Sequence, residues 1–299
     1  MSHEQAIENL LIAELKLMGV EHDVLTPIRS KDGVHVYRVT SAEKSYIMKH
    51  FARPADRREI KNYEILNELG IQTLRVFAHT KASLLIEDLT SHAQLRLASE
   101  ADMSDTEVAA ALARWYRSLH EKGVAYVQSY GDHLYDESDG LTATSLSLVK
   151  VKTKTSNLPF WTMLDTNLET MLQLNASLPR TLTYNDFFYT NMAVKHDKGE
   201  ALMFDYNRLG KGFIEQDLRN VTCQLSDEAK SAFLDAYAFT PNRLEVLVCD
   251  LTSHLFTLTE AVKRKSFPLW AEESLQKLKD GTLENSLHAL VRYNERSNI

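Results

Sequence analysis

The stretch that most constrains this chain is residues 181–206, TLTYNDFFYTNMAVKHDKGEALMFDY. An apolar lead-in reaches Asp186, Asn191 follows, and a predicted hairpin of MAV and ALMF around a KHDKGE turn leads to Asp205. Metal-assisted phosphoryl transfer needs a carboxylate that orients the attacking hydroxyl and accepts its proton. It also needs an amide oxygen and a second carboxylate that hold Mg²⁺ on nucleotide phosphates. Because a hairpin brings its two ends together, we expect these side chains to meet at one edge of a cleft.

The bulk composition is that of a globular protein with one large domain or two lobes. The chain has 299 residues, of which 44% are hydrophobic and 25% are charged. The net charge of −7 argues against nonspecific binding to nucleic acid, which depends on a basic surface, and it would suit a cationic small substrate.

The cysteines and the N-terminus predict a cytoplasmic protein. Cys223 and Cys249 have no metal-ligand spacing and suggest no disulfide framework. The first twenty residues form an acidic amphipathic pattern, with Ser2 as a candidate helix cap, whereas a secretory signal has a basic start and a continuous apolar run. No apolar run approaches the length of a membrane span, so we expect no membrane partner.

The first ninety residues switch from this helix to strands. Alternating apolar and polar residues between turn signals predict strands over 24–28, 34–40, 45–51, 74–78 and 83–89. The turn RSKDG contains Gly33 at the position where a phosphate-covering loop would lie, but an ordinary hairpin turn explains it equally well.

Lys49 and a helix glutamate form a second candidate constellation. Lys49 lies among apolar residues of the third predicted strand, either as a strand-edge charge or as a contact to phosphates. In the helix predicted over 55–69, Glu59 shares a face with Tyr63 and Leu66 at helical spacing. A carboxylate on that face needs a cation, and Lys49 is the candidate. Glu64 is the alternative carboxylate, and the helical spacing favours Glu59.

Helical spacing dominates from about residue 90 onward. The clearest helix covers 106–120, and Gly123 is expected to end it; another helix covers 160–178. His120 closes the apolar stripe of the first of these helices, so we expect a packed, hydrogen-bonded structural histidine.

Three further segments have both a structural and a functional interpretation. The acidic stretch 129–140 is either a solvated loop or a lip that contacts a cationic substrate. Asp217, before an apolar helix, is either its N-cap or a brace for the loop that carries Asp186, through backbone N–H groups. The aromatic run 187–189 is either core or a ring surface for the acceptor. A fourth segment, residues 210–212 (Gly-Lys-Gly), is discounted as a nucleotide loop. Such a loop must both follow a strand and open a helix, and this segment does not meet that requirement.

In its order of motifs, the chain resembles the aminoglycoside phosphotransferase and choline kinase family. The motifs are Lys49, the helix glutamate, an apolar strand into Glu87-Asp88-Leu89, YNDFFYTN and FDY. The resemblance covers about residues 20–225 and is strongest over 181–218. The catalytic loop of that family has the pattern H-x-D-x-x-x-x-N, in which the histidine is mainly structural. In this chain, Tyr184 stands at the position of that histidine.

The resemblance implies an α+β, protein-kinase-like fold with two lobes. Residues 1–89 would form a nucleotide-binding lobe with an antiparallel sheet and one helix, and residues 90–299 would form a mostly helical catalytic and substrate-binding lobe. Asp186 would be the catalytic base, and Asn191 and Asp205 would be the Mg²⁺ ligands.

The remaining implied roles concern the nucleotide, ATP or GTP. Lys49 would contact the α- and β-phosphates and Glu59 would steady it. The backbone of Glu87 and Leu89 would bind the purine, and Gly33 would belong to the phosphate-covering loop.

The sequence therefore predicts a kinase that phosphorylates a hydroxyl of a small molecule, with an aminoglycoside-like or amino-alcohol acceptor. No APE-like stretch follows Asp205, which disfavours a protein kinase, and no GxSxG motif supports a hydrolase. The alternative is a catalytically silent nucleotide-binding regulatory module, for which Tyr184 and the glycine-poor loop are the reasons.

Overall fold

The secondary structure is taken from a computed structural model, which describes residues 3–42, 44–238 and 240–297. Ser2, the candidate helix cap, lies outside the described residues. The strands are β1 (Val24–Lys31), β2 (Val34–Ser41), β3 (Lys44–Phe51), β4 (Val76–His79), β5 (Ser83–Glu87), β6 (Leu95–Leu97), β7 (Tyr135–Asp136), β8 (Thr181–Thr183), β9 (Met192–Lys195), β10 (Ala201–Met203) and β11 (Gly210–Gly212). The helices are α1 (His3–Leu17), α2 (Arg58–Glu68), α3 (Thr106–Tyr130), α4 (Ala143–Lys152), α5 (Pro159–Ser177), α6 (Ile214–Thr222), α7 (Asp227–Tyr237), α8 (Arg243–Ala261), α9 (Glu272–Lys279) and α10 (Thr282–Ser297).

The chain forms two compact units, each built from separate segments. The first unit contains Met1–Lys122, Tyr184–Leu209 and Val221–Ala238, and the second contains Gly123–Thr183, Gly210–Asn220 and Phe239–Ile299. The lobe boundary that the sequence predicts between residues 89 and 90 lies inside the first unit and stays a prediction.

The first unit contains the predicted five-stranded antiparallel sheet, in the order β1-β2-β3-β5-β4. Because successive side chains of a strand point to opposite faces, each strand contributes to two surfaces. One face packs its apolar residues against α1; this core comprises Ile7, Leu11, Leu15, Tyr37, Val39, Met48 and Leu85. The other face carries the alternate residues, which line a cavity; they include Val36, Ile47, Lys49 and Ile86.

A second sheet in the same unit, in the order β10-β9-β6, contains the predicted hairpin. Strands β9 and β10 pair antiparallel with Met192 opposite Met203. The pairing brings Asn191, before β9, and Phe204, after β10, to the same end of the hairpin, where the Phe204 N–H donates to the Asn191 carbonyl at 2.9 Å. Asp205 follows directly, so the predicted approach of the two hairpin ends is present.

The second unit is mostly helical, with the small sheet β7-β11-β8. Its apolar core draws on α4, α5, α8, α9 and α10. Residues 210–212 form β11 and pair with β8 and β7, which agrees with discounting them as a nucleotide loop. Gly210 is required there because a Cβ would lie 2.1 Å from the Tyr135 carbonyl oxygen.

The acidic stretch 129–140 is ordered: it forms β7 between short 3₁₀ turns, and Asp136 accepts from the Ser138 N–H at 2.8 Å.

One prediction from a helix-end signal is wrong, and one of the two alternatives for Asp217 is excluded. Gly123 does not end its helix, because α3 continues to Tyr130. A Cβ on Gly123 would lie 2.7 Å from the Leu182 backbone nitrogen, so this glycine permits close packing of α3 against β8. Asp217 is not an N-cap, because α6 begins at Ile214 and Asp217 lies buried within the first turn.

His120 is confirmed as a buried structural histidine, since its Nδ1 lies 2.6 Å from the Tyr237 hydroxyl. Across the described ranges, every helix is too short or too polar to cross a bilayer.

The close packing at Gly123 predicts the effect of Gly123→Ala. Helix propensity alone would make alanine more stable by about 1 kcal/mol. The clash with β8 should outweigh this gain and lower the free energy of unfolding by about 1–3 kcal/mol. Urea denaturation followed by circular dichroism measures the difference, with Ser129→Ala, at an exposed position of the same helix, as the control. A Gly123→Ala protein more stable than wild type would contradict the packing explanation.

Candidate active site

A buried ion pair joins β3 to α2. The Lys49 Nζ lies 2.6 Å and 2.7 Å from the two carboxylate oxygens of Glu59. The two side chains are only 9% and 1% exposed, so water screens their attraction little. The sequence predicted this pair and kept Glu64 as the alternative. Glu64 instead lies at the surface, where it pairs with Lys61 at 3.0 Å.

Asp205 shares the Lys49 ammonium with Glu59. The Lys49 Nζ lies 3.0 Å from Asp205 Oδ1. Burial alone would lower the pKa of Lys49, but the charges of Glu59 and Asp205 outweigh burial and raise this pKa to about 12. Burial likewise favours a neutral Asp205, but the charge and hydrogen bond of Lys49 outweigh it and lower the Asp205 pKa. Near neutral pH the centre is therefore a cation between carboxylates, of which Asp205 is ionised.

Asp186 lies in the irregular segment after β8 and is near Arg208. The Arg208 Nε is 4.0 Å from Asp186 Oδ1, and both side chains are about one-third exposed. Burial raises the pKa of Asp186, while the positive charge of Arg208 opposes that rise. Asn185 holds the two segments together, because its side-chain amide donates to the Arg208 carbonyl at 3.1 Å.

The backbone is unusual beside both candidate carboxylates. Asp205 has φ 65° and ψ 68°, in the left-handed region, and Asn185, directly before Asp186, has φ 65°. Asp and Asn adopt this region more readily than other residues with a side chain, but it still costs free energy. Such conformations collect at functional sites, where the surrounding structure fixes them.

A buried aromatic cluster supports both segments. It comprises Tyr63, Trp115, Tyr116, Tyr184, Tyr206 and Phe233. Tyr206, next to Asp205, stacks on Trp115 with ring centroids 6.5 Å apart. Tyr184 is fully buried, and its hydroxyl donates to the Phe204 carbonyl. The tyrosine at the histidine position therefore ties the segment of Asp186 to the segment of Asp205.

A cavity of about 310 Å³ opens on the sheet face that carries Lys49. Its apolar lining is Ile28, Val36, Ile47, Leu74, Ile86, Leu89, Leu97 and Phe204. Lys49, Asn191 and Asp205 line the same cavity. Charged and polar residues therefore share the lining with the apolar ones, and a concave site with apolar walls and convergent polar groups is typical of sites for small molecules and cofactors.

The end of β5 and the turn after it contribute Glu87, Asp88 and Leu89 to the lining of this cavity. The Glu87 N–H donates to the Arg75 carbonyl at 3.0 Å. Glu87 and Leu89 therefore lie at the cavity, and the purine contact that the resemblance implies for their backbone groups stays a prediction.

Gly33 occupies a tight turn between β1 and β2. Asp32 and Gly33 have φ values of 53° and 83°, as the two central residues of a hairpin turn require. A polar cavity of about 210 Å³ is lined by the neighbouring Lys31, Asp32 and Val34 together with Lys49 and Asp205. The hairpin end therefore lies beside the lysine, although Gly33 itself is not among the lining residues.

The aromatic run 187–189 divides between core and surface. Phe187 is buried, and its carbonyl accepts from the Gln224 side chain at 2.7 Å. Phe188 is 54% exposed, close in the chain to Asp186. The core interpretation is confirmed for Phe187, and the acceptor-surface interpretation stays a prediction for Phe188.

Sequence reasoning missed Arg208. The sequence contains only a weak signal for this residue: in FDYNRLG, Arg208 is the basic residue nearest in the chain to Asp205. Its approach to Asp186 depends on the turn after Asp205, which includes a 3₁₀ turn at Tyr206–Arg208.

The oxygen donors suit magnesium. In the part of the chain that the structure describes, no group of three or more His, Cys, Asp or Glu residues could hold a metal by itself. Mg²⁺ is commonly bound by only one or two carboxylates, with phosphates and water completing its coordination. The ionised Asp205 and the amide of Asn191, both lining one cavity, match that donor set.

Comparisons with known proteins bear on the family and the fold. A family model described as the phosphotransferase enzyme family matches residues 24–247. A search of curated proteins finds no match. Solved structures with the same fold include choline kinase LicA from Streptococcus pneumoniae, with a TM-score of 0.61 and 13% identity over 96% of this chain and 100% of that chain.

Two further solved structures share the fold. Macrolide 2'-phosphotransferase MphH from Brachybacterium faecium has a TM-score of 0.61 and 15% identity over 92% of this chain and 97% of that one. The streptomycin–ATP–APH(2")-IIa ternary complex has a TM-score of 0.62 and 17% identity over 88% of this chain and 93% of that one. At these identities the likeness concerns the fold, a sheet-containing lobe with a helical lobe.

The buried hydroxyl of Tyr184 predicts the effect of Tyr184→Phe. The substitution keeps the ring in the aromatic cluster but removes the donor to the Phe204 carbonyl. Leaving a buried acceptor without its donor should lower the free energy of unfolding by about 1–3 kcal/mol. Thermal and urea denaturation measure this change, with the half-buried Tyr46→Phe as the control. Equal stabilities of wild type and Tyr184→Phe would show that the hydroxyl does not brace the loop.

Proposed function

This chain belongs to the phosphotransferase enzyme family and is a small-molecule kinase, and we propose that it transfers the γ-phosphoryl group of ATP or GTP, with Mg²⁺, to a hydroxyl of a small acceptor. The observation that carries the proposal is the ammonium of Lys49 held between Glu59 and Asp205 on the wall of the cavity. Phosphoryl transfer depends mainly on positioning and charge stabilisation, which such a centre supplies.

The purine would occupy the apolar part of the cavity. Its flat ring would lie between the apolar side chains of the sheet face and Leu97 and Phe204. The Leu89 N–H and the Glu87 carbonyl would be the hydrogen-bonding groups at its edge. Backbone groups fixed beside a strand give orientation without loss of side-chain entropy.

Lys49 would bind the phosphates. A lysine ammonium has three N–H donors, and here two face Glu59 while one faces Asp205. The Asp205 side chain is 34% exposed whereas that of Glu59 is 1% exposed, so the donor that faces Asp205 would be the one available for a phosphate oxygen. Glu59 would keep the ammonium in position, because it is buried and has no other cation within reach in the described chain.

Asn191 and Asp205 would hold Mg²⁺ through their side-chain oxygens. Bound there, the ion would neutralise negative charge on the phosphates. The hairpin fixes the relative position of the two residues, and the left-handed backbone of Asp205 sets the direction of its carboxylate.

Asp186 would orient the acceptor hydroxyl and take its proton. As the acceptor oxygen forms its bond to the γ-phosphorus, the bond from that phosphorus to the bridging oxygen of the nucleotide breaks, and the hydroxyl proton moves to the carboxylate. Burial raises the pKa of Asp186, which makes its carboxylate a better proton acceptor. The positive charge of Arg208 opposes that rise.

The acceptor is proposed to be a hydroxyl-bearing small molecule with a positive charge. Choline, streptomycin and spectinomycin appear in the names or titles of proteins that share the fold. The net charge of −7 would favour the approach of such a cation. The exposed ring of Phe188 offers an apolar and cation-attracting surface near Asp186.

Calorimetric titration with ATP tests the metal site. Mg²⁺ should tighten ATP binding to the wild type, and Asp205→Asn should reduce that enhancement at least about tenfold, because the neutral amide lacks the charge that holds the ion. Binding without Mg²⁺ should change little. Asp197→Asn, in the exposed turn of the same hairpin, is the matched control. An unchanged Mg²⁺ effect in Asp205→Asn would contradict the assignment.

Turnover with choline, ethanolamine, streptomycin and spectinomycin tests the base. Asp186→Asn should lower kcat by about 10²–10⁴-fold while ATP·Mg²⁺ still binds. As pH falls through the raised pKa of Asp186, the carboxylate becomes protonated, so the wild-type rate should fall while the residual rate of Asp186→Asn stays flat. Full turnover by Asp186→Asn would refute the mechanism. Metal-dependent binding without transfer to any acceptor would favour a catalytically silent module.

A further inference from the structure

Residues 263–270, KRKSFPLW, join α8 to α9 in the second unit and expose an apolar cluster. Leu269 is 81% exposed, Trp270 is 55% exposed and Phe267 is 37% exposed. Scattered apolar residues are normal on protein surfaces, but contiguous ones mark interaction sites. No other run of four residues in the described chain exposes three large apolar side chains.

The local backbone holds these side chains outward. Both flanks are anchored, because Val262 and Ala271 are buried in the second unit. Leu269–Ala271 forms a 3₁₀ turn in which the Ala271 N–H donates to the Pro268 carbonyl at 3.1 Å. The turn directs Ala271 inward and leaves Leu269 and Trp270 in solvent, so their exposure is fixed by the fold.

Positive charge lies directly beside the apolar cluster. Lys263, Arg264 and Lys265 are consecutive, and residues 263–271 contain no acidic residue. Lys263 is paired with Glu260. For Arg264 and Lys265, the described residues provide no ion-pair partner. The loop therefore carries two cations without an ion-pair partner in the described chain next to three exposed apolar side chains. Glu272 and Glu273 follow at the start of α9, where Glu273 pairs with Lys277.

We propose that residues 263–270 dock this protein on an anionic lipid surface. Apolar side chains with a tryptophan enter the boundary between headgroups and acyl chains, and neighbouring basic residues attract anionic headgroups. The loop has both components at one place. The sequence predicted no membrane partner because it has no span, but peripheral contact requires none.

The overall charge explains why the contact is confined to this loop. With a net charge of −7, most of the surface is repelled by an anionic bilayer. Only a region of local positive charge can approach, so binding should be weak, oriented and sensitive to salt. A second copy of the chain would provide apolar surface for Leu269 and Trp270 but would bring like charges of the two loops together.

Vesicle binding at low ionic strength tests the proposal. The full-length protein should cosediment with vesicles of equal parts phosphatidylcholine and phosphatidylserine and bind pure phosphatidylcholine much more weakly. Trp270 is a built-in probe, since Trp115 and Trp161 are buried. Its emission should shift to shorter wavelength on anionic vesicles, and brominated lipids should quench it.

Variants separate the two components. R264A/K265A should weaken binding about 25-fold, since each basic residue near an anionic surface contributes about fivefold. L269S/W270S should abolish binding, while the control L148S/V151S, which removes exposed apolar residues of α4, should bind like wild type. Thermal denaturation should be unchanged in all three, because these side chains lie at the surface.

Several results would overturn the proposal: no sedimentation with anionic vesicles, equal binding to neutral vesicles, or wild-type binding by L269S/W270S. Analytical ultracentrifugation without lipid provides the remaining test. A dimer that L269S/W270S dissociates, in a protein that ignores vesicles, would assign the loop to self-association instead.

Discussion

The organisation of this structure depends on the ion pair between Lys49 and Glu59. A buried charge without a partner costs several kcal/mol, and removing one member of such a pair typically destabilises a protein by about 3–5 kcal/mol. The pair fixes α2 against β3, and Asp205 adds a third charged group from the end of the hairpin. One ammonium therefore sets the geometry of three separate chain segments. The centre remains accessible to a ligand, because the Asp205 side chain is about one-third exposed.

The uncharged support for this centre is aromatic. Tyr184 and Tyr206 belong to the same buried ring cluster, and each is near one of the two candidate carboxylates in the chain. Tyr184 stands where the related kinases carry a histidine, and it forms a direct link to the Phe204 carbonyl. A histidine is therefore not required to connect the two segments, and this substitution gives no reason to regard the protein as inactive.

Sequence patterns predicted the parts of the fold that depend on local periodicity. Alternation in the strands and i, i+4 spacing in α2 were sufficient to pair Lys49 with Glu59 and to find the hairpin that leads to Asp205. The patterns were insufficient where a residue serves a distant contact. Gly123 has the chemistry of a helix end but lies mid-helix, because β8 packs against it. Arg208 has no local signature, since its approach to Asp186 follows from a turn whose geometry depends on the surrounding fold.

We propose that the Lys49 centre and the adjoining cavity form one nucleotide site. A crystal structure of the protein with a non-hydrolysable ATP analogue and Mg²⁺ would show directly whether they do. We expect the purine at the Leu89 N–H, a phosphate oxygen on the Lys49 ammonium with Glu59 still paired, and the ion on Asn191 and Asp205. A nucleotide bound elsewhere, or a Lys49 that contacts only the two carboxylates when the cavity is filled, would contradict the proposal.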